Sequence, residues 1–466
     1  MLALGWLALG GTFGLFVTRL FSPIPVDGTS IAITWTLVLG LLAVGIVKAS
    51  GPAARFADAI EVGAALLAVL TIGRLGASAL ATQRDAGASA EAAEAWEDAR
   101  QPARPDIYLV VLDMRASVGW MASEYGYDQS RFLDSLRALG FSIPTAAYAN
   151  YTHTQLALPS LLNGRLLEDD STTATVEGSA VYDLVGESSL WPTVHERGYR
   201  IAFFPTPYPA TRELPESDLD LPAPSTRRIP WAETLVAHSP FALSPELRCH
   251  VFECEESILA PFPFESASAL EWKFKMLATL PDSAGPVFAF LHVLSPHEPY
   301  LYADDCSHRT PWWPLDEVDS DEQDALRRAY GAQARCVDSL TLGAVSEILR
   351  RSEIPPVIVI TSDHGHGRIG RDVLRGITFE LDELPPARLA ERLRVFTAVH
   401  LPRGAAAIPD TISLVELMPL VRRAAWGDTV NVHREAPSYW SPFHRMHDFV
   451  PVPRSQLDEP PLTDRP

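Results

Sequence analysis

The chain has 466 residues, 47% hydrophobic and 21% charged, with a formal net charge of -20. That charge argues against nucleic acid as a partner, because tracking a phosphate backbone takes clustered Lys and Arg. A mean hydropathy of +0.05 is high for a soluble chain, and the apolar excess is concentrated in the first 80 residues.

Three apolar stretches open the chain: Leu2–Phe21, Ser30–Val47 and residues 59–80. Each approaches the roughly 20 residues needed to cross a ~30 Å hydrocarbon core. The first lacks the basic flank of a signal peptide and two more follow it, so three spans fit better than a leader. Buried helices of a soluble protein are the other reading. Lys48 and Arg55 lie between the second and third stretches, whereas Asp27 is the only charge between the first and second. Keeping the basic loop inside sends everything after residue 80 out of the cytoplasm. Arg19, Glu61 and Arg74 spoil the pattern, and Arg74 would have to snorkel or pair. Residues 1–81 are thus expected to form a transmembrane region of about three helices, making a multi-pass inner-membrane protein. Residues 82–104, rich in Ala, Glu, Asp and Arg, read as a solvated linker.

From residue 105 to about 440 the pattern is globular. The runs at 106–113, 199–204, 287–293, 356–363 and 395–401 are short, branched and almost continuously apolar, as strands covered on both faces should be. Helical periodicity falls between them at Ser130–Leu139, Glu322–Arg351 and Ser413–Arg423. The alternation predicts an α/β sandwich around a mainly parallel sheet. Two strands end in metal-capable side chains, one at Asp113 and one at Asp363 and His364, and such sheets gather ligands at their carboxyl ends. Ordinary strand-end capping is the plainer reading. Residues 441–466 form a Pro-rich tail whose last dozen residues are expected to lack order. Among the four cysteines, none has zinc-ligand spacing. Their even number suits disulfides Cys249–Cys254 and Cys306–Cys336 in an oxidising compartment, with four reduced core thiols as the alternative.

PDIYLVVLD (105–113), YGYDQSRFLDSLRALGF (125–141), YANYTHTQLALPSLLNG (148–164), FAFLHVLSPHEPYLY (288–302) and VIVITSDHGHG (357–367) occur in the order seen in sulfatase-like membrane hydrolases and transferases. The closing LPRGAAAIPDTISLVELMPLV (401–421) is similar to the usual last portion. On these motifs the chain resembles the alkaline phosphatase/sulfatase superfamily over about residues 105–440. The resemblance implies an alkaline-phosphatase-like sandwich and a metal-dependent attack on a phosphate or sulfate ester. A Thr hydroxyl is a poor nucleophile at neutral pH, and a divalent cation on its oxygen would favour the alkoxide. Asp113, Asp363 and His364 would supply three ligands to one divalent ion, with Thr154 Oγ as the fourth. Mn²⁺ and Zn²⁺ lead as candidates, and Mg²⁺ and Ca²⁺ are also compatible.

Thr152 and Thr154 are both candidate nucleophiles. Aligning the sulfatase motif Cys-x-Pro-x-Arg and its later Thr-Gly with Asn163-Gly164 selects Thr154. That residue also opens an apolar helix whose free N–H groups could hold an anion, although a helix N-cap is its plainer role. Pro159 requires the helix to be short or kinked. The chain departs from sulfatases in having Thr at 154 and Leu at 158, so formylglycine cannot form. A Thr there looks like the phosphoglycerol and phosphoethanolamine transferases, implying a phospho-Thr intermediate. By the same resemblance His297 is a catalytic and substrate-binding residue. His366, two residues after the Asp363–His364 pair, is placed to bind substrate or a second metal, with an exposed loop histidine as the plainer reading. His292 reads as a buried structural residue. Trp312 and Trp313 beside Tyr300 and Tyr302 suggest a sugar-stacking wall, with core packing the commoner reading. The leading expectation is a membrane-anchored transferase acting on envelope lipid or glycan esters. A phosphatase, phosphodiesterase or sulfatase-like hydrolase is second, and a non-catalytic envelope protein third.

Overall fold

The computed structural model describes residues 104–169, 178–223, 265–312, 320–366, 381–402, 407–429, 435–442, 446 and 448–458. The three apolar N-terminal stretches, the Cys249–Cys254 pair, Trp313 and the end of the tail lie outside the described residues. Among those that are described, no helix is long and apolar enough to cross a membrane.

Twelve strands are described. They are β1 (Ile107–Leu112), β2 (Ala146–Tyr148), β3 (Arg200–Phe203), β4 (Leu219–Asp220), β5 (Val287–Val293), β6 (Tyr300–Tyr302), β7 (His308–Trp312), β8 (Val357–Thr361), β9 (Thr397–His400), β10 (Thr411–Ser413), β11 (Ser438–Trp440) and β12 (Val450–Val452). The helices between them are α1 (Val118–Ser123), α2 (Ser130–Ala138), α3 (Thr154–Asn163), α4 (Leu190–Glu196), α5 (Ala267–Leu277), α6 (Ser320–Arg351), α7 (Pro386–Leu393) and α8 (Leu417–Trp426).

Six strands form the central sheet in the order β4-β3-β5-β1-β8-β9. All its pairs are parallel except β8 with β9. The mainly parallel sheet expected from sequence is therefore present, closed at one edge by an antiparallel strand. β1 shows why its sequence is apolar without alternation. Ile107, Leu109 and Val111 face one core, while Tyr108, Val110 and Leu112 face the other. Each strand residue is thus buried whichever way it points, and branched or aromatic side chains fill both layers. Helices α3, α4, α7 and α8 pack into the first core, α2 and α5 into the second, and α6 contributes to both.

The Pro-rich C-terminal segment is partly built into this domain. β12 pairs antiparallel with β11, Leu457 is buried, and Arg394 Nη1 donates to its carbonyl. The expected disulfide Cys306–Cys336 is formed, fastening the β6–β7 connection to α6 across 30 residues of sequence.

Candidate active site

β5, β1 and β8 lie side by side at the centre of the sheet, and their carboxyl ends carry His292, Asp113 and Asp363. Side-chain parity puts all three on one face. Asp113 continues the Ile107–Leu109–Val111 series and His292 the Phe288–Phe290 series, both in the core that holds α3. Ligand atoms of Asp113, His292 and Asp363 all lie within 4.8 Å of one another. All three side chains are buried.

The turn after β1 is held by a crossed exchange. Asp113 N donates to Val293 O (2.9 Å) and Met114 N to Asp363 Oδ1 (3.1 Å). Met114 adopts a left-handed φ of 62°, a conformation that costs a non-glycine residue energy and persists only where its surroundings over-determine it. Tyr330 of α6 secures it by donating from Oη to Met114 O at 2.6 Å and accepting from Ala116 N at 3.0 Å.

Thr154 is the first residue of α3, following an extended His153. The helix starts where Leu156 and Ala157 N–H reach the His153 carbonyl, at 3.0 and 2.9 Å. By helix geometry the Thr154 and Gln155 N–H groups have no intrahelical acceptor. Pro159 sits inside the helix, which is only 10 residues long and stops at Gly164 with φ 61°. Thr154 Oγ1 lies 3.1 Å from His364 Nε2. That nitrogen is 3.2 Å from Asp363 Oδ2 and 4.0 Å from Asp113 Oδ1. The four residues singled out from sequence as a metal set therefore converge, together with His292. Thr152 is different: its carbonyl accepts from Arg392 Nε at 2.8 Å, and its buried hydroxyl has no partner. The nearby Asn150 is buried, its amide bonded to Pro437 O and Val415 N.

A cation fits this cluster. Asp113 Oδ1, Asp363 Oδ2 and His292 Nε2 are buried without a hydrogen-bond partner, an arrangement that would be costly with nothing to compensate it. Burial, then repulsion from Asp363, pushes the Asp113 carboxyl well above the usual carboxylate range. Burial lowers His292 to about 4, and burial with the nearby Arg392 charge lowers His364 well below the ordinary imidazole value. Both imidazoles are therefore neutral near pH 7, the form that coordinates metals. Thr211 Oγ1, 3.0 Å from His292 Nδ1, sets the ring so that Nε2 faces the cluster.

His297 stands at the rim with its side chain 37% exposed. Its backbone N–H donates to Asp113 O (3.2 Å), and its Nδ1 is 2.7 Å from Glu298 O. Burial works to lower its pKa, but the Glu298 and Asp113 carboxylates outweigh this and raise it. His366 is buried, with Nδ1 2.8 Å from Tyr125 Oη and 3.6 Å from Glu391 Oε1. Tyr300 and Tyr302 are buried too, so they pack the interior and expose no stacking face.

Tyr208 and Arg392 escaped the sequence reading, and His292, read there as a buried structural residue, is buried but joins the candidate metal cluster. His292 lies mid-motif in an apolar strand, and only its parity with Phe288 and Phe290 pointed to the site. Tyr208 follows β3; its Oη donates to Gln155 Oε1 (2.7 Å) and its ring meets His292 edge-on at 6.1 Å. Arg392, near the end of α7, reaches His364 Nε2 at 3.2 Å. Nothing in the sequence marks it.

A sheet covered on both faces, with carboxylates and imidazoles gathered at its carboxyl ends, defines an α/β protein with a buried, metal-capable site. The sulfatase family model matches residues 105–384, and the chain belongs to that family. No curated protein matches it in sequence. Among solved structures it is similar to the C-terminal periplasmic domain of EptC from Escherichia coli in complex with zinc, at 12% identity and a TM-score of 0.46, covering 70% of this chain and 83% of that one. It is also similar to the lipoteichoic acid synthase LtaP from Listeria monocytogenes (12%, TM-score 0.43, 70% and 73% covered). A third is the lipooligosaccharide phosphoethanolamine transferase A from Neisseria meningitidis (13%, TM-score 0.42, 87% and 69% covered).

Proposed function

We propose that this chain is a membrane-anchored, metal-dependent transferase that moves a phospho-substituent onto a cell-envelope lipid or glycan through phospho-Thr154. The observation that carries the reading is the position of Thr154 Oγ1, at a helix N-terminus and 3.1 Å from His364 Nε2. Beside it lie two buried carboxylate oxygens that lack partners. Asp113, Asp363, His364 and Thr154 Oγ would hold one divalent ion, with His292 added from β5. Two carboxylates with imidazole and hydroxyl groups suit Zn²⁺ or Mn²⁺.

When bound, the ion would favour the Thr154 alkoxide and neutralise charge on the ester. Having lost its proton to solvent, Thr154 Oγ attacks the phosphorus in line. The Oγ–P bond forms, the bond to the leaving oxygen breaks, and that oxygen takes a proton from His297. Glu298, which is not among the metal ligands, favours the charged imidazole that this step requires. The α3 N-terminus faces the negative charge that builds up. In the second half, an acceptor hydroxyl gives its proton to His297 and attacks phosphorus, which frees Thr154. The apolar N-terminal stretches would keep the site beside lipid substrates, and the Cys306–Cys336 disulfide fits an extracytoplasmic domain.

The test uses the full-length chain in detergent with a phosphodiester and a sulfate ester as artificial substrates. Thr154→Ala is expected to lower turnover by about 10³-fold or more. Mass spectrometry of quenched wild type should find the phosphoryl group on the peptide carrying Thr154. Undiminished turnover in the variant would sink the assignment. A labelled phospholipid donor then separates transfer from hydrolysis.

A further inference from the structure

Arg392 is a buried cation set among neutral acceptors. A guanidinium has five N–H donors in a fixed fork. Nε donates to Thr152 O (2.8 Å), and Nη1 donates to Gly365 O (3.3 Å) and His366 O (3.0 Å). Nη2 lies 3.2 Å from His364 Nε2. Four donors are thereby accounted for. The fifth, on Nη2, has no acceptor among the described residues. If the His364 Nε2 lone pair is given to a cation, both Nη2 hydrogens are free.

Two other buried cations, Arg115 and Lys273, differ in having a carboxylate partner, whereas the buried Arg394 lies away from the cluster and donates to Tyr148 Oη and Leu457 O. Arg115 is paired bidentately with Asp338, and Lys273 with Glu265. Around Arg392 the acidic groups that act on it, Asp363, Asp113, Glu298 and Glu391, do so at longer range, with no described carboxylate forming an ion pair with it. A buried charge of this kind calls for a counter-charge. Thr154 Oγ1 and Arg392 Nη2 are both within 3.2 Å of the same His364 nitrogen, so whatever Thr154 attacks also lies within reach of Nη2. Leu158, the position at which the sulfatase motif carries Arg, is fully buried in the apolar core and cannot supply this charge.

We propose that Arg392 binds the substrate directly, its Nη2 donating to a non-bridging oxygen of the tetrahedral anion attacked by Thr154. This rests on the reading of Thr154 as nucleophile. Its ligand chemistry is a tetrahedral oxyanion, phosphoryl or sulfuryl. The three backbone acceptors hold the guanidinium rigid before substrate arrives, which suits it to an anion whose charge is redistributed during transfer.

The experiment titrates inorganic phosphate, and separately sulfate, into the metal-loaded full-length chain by calorimetry, alongside Arg392→Gln, Arg392→Lys and Thr154→Ala. Arg392→Gln should weaken binding of the preferred anion at least tenfold with metal content unchanged, and Arg392→Lys should fall between it and wild type. The anion with the larger loss identifies the substrate chemistry. Wild-type affinity in Arg392→Gln, or in Arg392→Lys if the Gln variant does not fold, overturns the proposal. So does failure of both to fold, which would make the residue structural, or absence of anion binding by wild type. Thr154→Ala separates the two readings, since its full turnover would remove the nucleophile while leaving the anion titration of Arg392 interpretable.

Discussion

A β-carbon added at Gly365 would overlap the Glu391 carbonyl oxygen and lie 2.8 Å from that of Arg394. The Gly365 N–H already donates to Arg392 O at 2.6 Å. This position therefore has to be glycine because α7 presses against the loop that carries Asp363 and His364. Gly365→Ala is expected to lose bound metal and at least 100-fold in turnover, with stability falling by about 1–3 kcal/mol; metal analysis and thermal melts check this. A second residue sets the acid limit. His153 is buried with Nε2 2.8 Å from Ser441 O, and burial followed by the Arg392 charge lowers its pKa to about 4. Its folded value lies below the unfolded value of about 6.5, so the unfolded chain binds more protons between those limits. The contribution is complete above pH 6.5 and is lost as pH falls toward 4, by on the order of 3 kcal/mol. Urea unfolding at pH 7 and pH 5 with chelator present should show the loss in wild type and a smaller one in His153→Gln.

At the scale of elements, the site is braced by α6 from beneath. Arg115, two residues past Asp113, places Nε 3.1 Å from Asp338 Oδ1 and Nη2 2.7 Å from Asp338 Oδ2, and reaches Gln129 as well. Its backbone N–H donates to Ser362 Oγ, next to Asp363. One buried ion pair thus connects the β1 turn, the β8 turn and the long helix. Removing one partner leaves a buried charge alone, so Asp338→Ala is expected to cost about 3–5 kcal/mol in denaturant unfolding. Replacing both partners with apolar residues should recover much of that loss. The periodicity of α6 and the apolar runs of β1, β5 and β8 could be read in advance, because burial on one or two faces leaves a direct trace in the residue pattern. The antiparallel direction of β9 could not, since its composition matches that of its parallel neighbours.

For the whole molecule, the cation is expected to be a stabilising ligand as well as a reagent. The carboxylates that repel one another in its absence come from strands far apart in sequence, and that cluster exists only in the folded chain. A ligand bound only by the folded state at 100 times its Kd adds about 2.7 kcal/mol. Chelation should therefore lower the melting temperature, and Zn²⁺ or Mn²⁺ should restore it. The effect should vanish in the Asp113→Asn/Asp363→Asn double variant. Equal melts with and without chelator in wild type would argue against a structural cation.

The residue order alone determined the alternation of strands and helices, the family of the chain and the strand-end carboxylates. Those depend on local pattern and motif spacing, and both are properties of a linear string. Only the tertiary structure decided that Thr154 rather than Thr152 turns its hydroxyl toward His364, that His292 joins Asp113 and Asp363, and that Arg392 enters the site. Each of these depends on which strand lies beside which and how far a helix end reaches. The pairing of Val111 with His292 and the contact of α7 with residues 364–366 are long-range packing outcomes that no local pattern records.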